Sequence, residues 1–148
     1  MKTMHRLALS AAGIFAAGLM GMAPVSAHHS TAAFDTHTVF KIEGTITAFR
    51  WINPHASIKI MGQADSGMPS GLWTVGMTAP NILVNEGWTR KTLKPGDKVT
   101  MYVNPLKDPL TMKDGSHGAL YVGVILANGK TLGRVDGKPP HAASYRKH

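Results

Sequence analysis

Between Val39 and Ala48 the chain changes side-chain character at every position: Phe40, Ile42, Ile46 and Ala48 alternate with Lys41, Glu43, Thr45 and Thr47. A period of two fits a pleated strand with one dry face and one wet face, and it does not fit a helix. Its β-branched residues favour the same conformation. Gly44 interrupts the run at mid-length, where a missing side chain permits a sharp bend or bulge. Phe49 and Trp51 fall out of phase, so a second irregularity is expected near the strand end. A long, bent strand with one apolar face must be covered by other strands, which sets the fold class as mainly β.

The remaining segments supply the partners. Asn53-Pro54 signals a turn, because proline fixes its own φ and moves the preceding residue away from helix. Ala56, Ile58 and Ile60 alternate again as a second strand, the polar stretch Gly62 to Gly71 is a loop, and Leu72 to Met77 makes a third strand. Thr78-Ala79-Pro80 opens a short helix with proline in its first turn, Ile82 and Leu83 as apolar contacts and Gly87 as a left-handed stop. After the turn Lys94-Pro95-Gly96-Asp97, Val99, Met101 and Val103 mark a fourth strand. A long polar loop from Asn104 to His117 leads to a fifth, Leu120 to Leu126. Asn128-Gly129 is a strong hairpin signal, with Thr131 to Val135 pairing back as a sixth. Three strands, one short helix, then two strands and a hairpin extension is the order of a small OB-like Greek-key barrel of five to six strands, with one short helix between strands three and four. A plain β-sandwich is the alternative, and the helix in that place favours the barrel.

The first 27 residues read differently. Lys2 and Arg6, the apolar run Leu7 to Met20 and the small-residue site Val25-Ser26-Ala27 have the form of a cleaved secretory signal peptide. Gly13, Gly18, Gly21 and Pro24 break the run below the roughly 20 apolar residues a span needs, and no later run is apolar enough to cross a bilayer. The expected divisions are 1–27 signal peptide, 28–38 polar lead-in, 39–135 barrel and 136–148 flexible basic tail. A chain so marked is expected to be exported.

Cutting after Ala27 leaves 121 of the 148 residues, enough for one core. With no cysteine, thiol catalysis, disulfides and Cys-based zinc sites are excluded. The exported chain keeps 14 of its 16 basic residues against 8 acidic ones, about +6 with histidine neutral, so anionic surfaces, polymers or metabolites are attracted. Export argues against a nucleic-acid partner. The sequence holds no Gly-x-Ser-x-Gly elbow, phosphate-binding glycine loop or His-Glu-x-x-His, and its carboxylates are scattered, so the chain is not read as an enzyme.

The same cut makes His28 the terminal residue, with His29 beside it. A terminal histidine offers its α-amine and its ring nitrogen as a chelate, and an amine pKa of roughly 7.7–8.0 makes deprotonation easy near neutral pH. One more imidazole, from His29, His55 or His117, completes a nitrogen set suited to Cu(II). If the loops after strands one and four flank the binding face, His55 and His117 can approach each other there although 62 positions separate them. Met61, Met68, Met77, Met101 and Met112 show no clustered spacing and read as core or loop fillers. Trp73 and Trp88 read as core residues. Trp51, beside Asn53, either stacks on a ligand or packs under the Asn53-Pro54 turn.

His28-His29-Ser30, Phe34-Asp35, Gly44 and Trp51-Ile52-Asn53-Pro54-His55, with Gly87-Trp88-Thr89-Arg90, Leu93-Lys94-Pro95-Gly96-Asp97 and Asn128-Gly129-Lys130, resemble a family of small exported bacterial proteins catalogued only as a domain of unknown function. The resemblance covers roughly residues 28 to 135. It implies a signal peptide and a periplasmic or secreted β-rich domain, and it carries no catalytic residue across. The expected function is an exported, non-enzymatic binding module that takes copper or another divalent metal through His28, His29, His55 and His117, with Trp51 and Asn53 at the ligand. The competing expectation is a metal-free envelope interaction protein, holding a protein partner or an anionic small molecule on its barrel face.

Overall fold

The computed structural model describes residues 31–108 and 110–138. The expected signal peptide over residues 1–27, His28, His29 and the tail beyond Lys138 lie outside the described residues. Six strands form one sheet: β1 (Phe40–Arg50), β2 (Ser57–Ala64), β3 (Gly71–Gly76), β4 (Lys98–Pro105), β5 (His117–Ile125) and β6 (Thr131–Gly133). β1 is antiparallel to both β2 and β4, β4 to β5, and β5 to β6. A parallel pairing of β3 with β5, Trp73 opposite His117 through Gly76 opposite Leu120, closes the first five strands into a barrel. β6 extends β5 outside that closure. Between β3 and β4 sits one short helix, α1 (Pro80–Leu83), continued by a 3-10 turn over Val84–Glu86. The OB-like barrel expected from the order of elements is the fold observed.

Periodicity explains the core. Ile42, Ile46, Ile58, Ile60, Trp73, Val75, Val99, Met101, Val103 and Val124 come from alternate positions of their strands and are buried. Removing these side chains from water is the main favourable term in folding a disulfide-free domain of this size. A register shift between Ile46 and Ala48 in β1 changes the phase, so Phe49, opposite Ile58, packs against the core and Ala48 is only half-buried. This is the second irregularity the out-of-phase aromatics require. At Gly44 there is no bulge: its register runs unbroken against Gly62 and Val99. The glycine is there because β2 passes too close for a side chain, the Gly62 Cα lying 2.7 Å from where a Cβ would stand.

α1 starts as expected, with Ala79 as its N-cap and Pro80 in the first turn. Gly87 ends the following turn at φ 92°, a conformation open to glycine at little cost. Of the two apolar contacts expected, Leu83 is fully buried but Ile82 is 49% exposed, because only one side of so short a helix meets the barrel. Other boundaries also move. β2 extends through Gly62 to Ala64, held by pairing to Ile42, and β6 stops at Gly133 rather than Val135. His117, expected in the loop before the fifth strand, is the first residue of β5, because its neighbours Gly118 and Ala119 pair with Thr74 and Val75. No helix among the described residues is long and apolar enough to cross a membrane.

Candidate functional site

The barrel has two ends, and the register shows which residues belong to each. One end holds the loop from Leu106 to Ser116, between β4 and β5. Its first half is tied down by Leu106 N donating to Gly118 O (2.9 Å), and its second by Met112 N donating to Ser116 O (2.7 Å). The lead-in is fastened to the same loop. Phe34 bridges Leu106, Asp35 N donates to Pro105 O at 2.9 Å, and Lys107 donates from its backbone N to Ala33 O (2.9 Å) and from Nζ to Ala32 O (2.8 Å).

His117 lies at this end. Its ring is 5.0 Å from that of Trp73, which in turn is 5.1 Å from Phe40, so a row of three mutually tilted rings runs into the core. Its Nδ1 is buried and has no hydrogen-bond partner. A buried ring nitrogen without a partner carries an uncompensated desolvation cost, on the order of 1–3 kcal/mol.

Beside it runs a polar chain that nothing in the sequence spacing indicates. The Lys59 ammonium of β2 donates to Asp114 Oδ2 at 2.8 Å, and Ser116 donates from N and Oγ to Asp114 Oδ1 at 3.1 and 2.6 Å. With the Ser116 proton so engaged, the Thr74 hydroxyl donates to Ser116 Oγ at 2.7 Å. The Lys59 contact first, and then the Ser116 bonds, hold the Asp114 carboxyl well below the usual carboxylate range. This chain clips the loop onto the outer side of β2 and β3. Asp114-Gly115 is legible as a turn, but its attachment to a lysine 55 positions away is a tertiary fact.

The other end holds the β1–β2 loop. Ala56 N donates to Thr78 O, and Met77 N to Ala56 O, so this loop lies against the start of α1. Trp51 is half-buried, with its ring edge-on to Phe49 at 5.7 Å, and Phe49 is 5.9 Å from Trp88. Trp88 donates from Nε1 to the Tyr121 hydroxyl at 3.1 Å, and burial pushes that phenol well above its ordinary range. Trp51 therefore packs as part of an aromatic plug, while Asn53 and His55 are exposed beside it.

The expected approach of His55 to His117 does not occur. His117 is level with Trp73, whereas the β1–β2 loop joins β2 at Ser57, which is level with Gly76. Three strand residues, about 10 Å at the usual rise, separate those levels, and His55 lies beyond the farther one. The two loops flank the β2–β3 face from opposite ends. Among the described residues no group of three His, Cys, Asp or Glu side chains is arranged to hold a metal ion.

With this geometry in hand, comparison with known proteins gives one match. The profile of a family of unknown function, DUF6152, covers residues 18–115, well over half of the chain. The chain belongs to DUF6152. The match takes in the His28-His29 pair, the lead-in, Trp51, Asn53 and His55, and ends two residues short of His117. No curated protein and no solved structure matches the chain.

Proposed function

We propose that this DUF6152 chain is an exported, non-enzymatic binding module whose ligand is a divalent metal ion, copper, held through a processed N-terminus. The ligands are the amine and ring of His28, the ring of His29, and His117 as the imidazole supplied by the barrel. Borderline imidazole and amine nitrogens suit Cu(II). What supports the reading is the double fastening of Ala32 and Ala33 to Lys107. Ala32 and Ala33 are held at the end of the barrel where His117 lies, and His28 is three residues before Thr31 in the sequence, about 10 Å of extended chain. The unpartnered Nδ1 of His117 fits the group, because coordination there would give this buried nitrogen a partner that the fold does not supply. His55, at the far end, leaves the ligand set.

Mass spectrometry of the exported protein and calorimetry with Cu(II) test this together. The expected results are a terminus at His28 and a loss of affinity of about tenfold or more, about 1.4 kcal/mol, for His28→Ala and for His117→Ala. His55→Ala should bind as the parent does. A blocked or longer terminus, or binding no tighter than that of an unstructured histidine peptide, would leave the metal-free reading.

A further inference from the structure

We propose that the α1 end of the barrel docks onto an anionic membrane surface. Five large hydrophobic side chains are conspicuously exposed among the described residues. Three of them, Ile52 (47%), Ile82 (49%) and Val84 (56%), belong to the β1–β2 loop and the α1 turn, which the Ala56–Thr78 and Met77–Ala56 hydrogen bonds hold together. The aromatic plug behind them, Trp51 on Phe49 on Trp88, gives the protruding aliphatics a rigid base. None of the three contributes to the core, so their exposure is not explained by folding.

Cations outnumber carboxylates at this end. Arg50, Arg90, Lys91, Lys94 and Lys98 lie at the end of β1, after the helix and at the start of β4. The carboxylates there are Glu86 and Asp97, and Asp97 is taken up by Lys94 at 2.7 Å. Among the described residues no ion pair engages Arg50, Arg90 or Lys91. The opposite end is balanced. Asp35, Asp65, Asp108 and Asp114 equal Lys41, Lys59, Lys107 and Lys113 in number there, Lys59 is paired with Asp114 and Lys41 with Glu43, and the exposed Met112 lies between Asp108 and Asp114 in the chain.

Aliphatic tips on a segment with an excess of cations, Arg50, Arg90 and Lys91 among them without an ion pair, match a layer whose surface is anionic and whose depth is apolar. The cations meet lipid phosphates while Ile52, Ile82 and Val84 enter the headgroup boundary. A second copy of this chain is a poor occupant, because a two-fold contact would set the same cations against each other. This inference does not rest on the metal reading.

The test is cosedimentation of the exported chain, in copper-free buffer, with vesicles of phosphatidylglycerol and phosphatidylethanolamine or of phosphatidylcholine alone. Binding to the anionic vesicles is expected to exceed binding to phosphatidylcholine and to fall with added salt. The double variants Ile82→Ser with Val84→Ser, and Arg90→Ser with Lys91→Ser, should each lose about tenfold or more in partition, while Met112→Ser stays at the parent level. Circular dichroism of each variant confirms the fold. Equal binding to both vesicle types, folded double variants that bind as the parent does, or an equal loss for Met112→Ser would each overturn the proposal. So would failure to sediment with any vesicle, which would point to a protein partner for this end.

Discussion

Gly44 has no room for a methyl group: a Cβ there would run into the Met61 carbonyl oxygen and stand 2.7 Å from the Gly62 Cα. Since both obstacles are backbone, β2 itself would have to move. Gly44→Ala should therefore cost about 2 kcal/mol in urea unfolding, as overpacking does elsewhere. A loss below about 0.5 kcal/mol would show that the strands separate freely at this point. Asp114 invites a different test. Its carboxyl is held below its ordinary range by Lys59 and then Ser116, so the folded pKa lies below the unfolded one. The stabilisation is thus present above about pH 4 and drains away as pH falls further. Asp114→Asn should lower stability at neutral pH and change it little in acid, flattening the acid limb below pH about 4 in thermal melts across pH. A variant with the parent's full acid dependence would place that dependence on other carboxylates.

At the scale of elements, the stretch from α1 to Trp88 separates a buried side from a wet one within seven residues. Trp88 is fully buried and hydrogen-bonded to Tyr121, while Ile82 is half exposed. Trp88→Ala should cost about 4 kcal/mol and Ile82→Ala less than about 0.5, read from denaturant midpoints at constant slope. Comparable costs for the two would mean that the helix packs on a different face. Most of these elements were legible because a strand with one dry face writes its period into the sequence: β1, β2 and β4 announce themselves through Phe40 and Ile42, Ile58 and Ile60, and Val99 and Met101. The start of β5 was not legible. Gly118 and Ala119 are small because Leu106 lies over them, a Cβ at Gly118 being 2.8 Å from Leu106 Cδ2. A loop crowding a strand erases the alternation that would reveal it, and so the sequence pattern alone puts His117 in the loop. Ile82 misled for a related reason: in a four-residue helix no repeat distinguishes the inner side from the outer.

For the whole molecule, closure is the fact that divides the residues of interest. The β3–β5 pairing fixes Trp73 beside His117 and leaves the Ser57 end of β2, with His55, at the other pole. Spacing along the chain could not show this, since loops 62 positions apart reach the same pole or opposite poles according to strand direction alone. The two proposals accordingly occupy different ends, the metal beside the Leu106–Ser116 loop and the membrane beside α1. Copper bound at the first should leave vesicle binding at the second unchanged, and a strong dependence of one on the other in cosedimentation would show that the ends are coupled through the barrel. The most direct measurement is paramagnetic line broadening by substoichiometric Cu(II) in an amide NMR spectrum of the exported chain. The account predicts that signals from Thr31 to Ala33, the Leu106–Ser116 loop and His117 fade first, while those of Trp51 to Ala56 persist. Broadening centred on His55, or spread evenly over all exposed histidines, would contradict it.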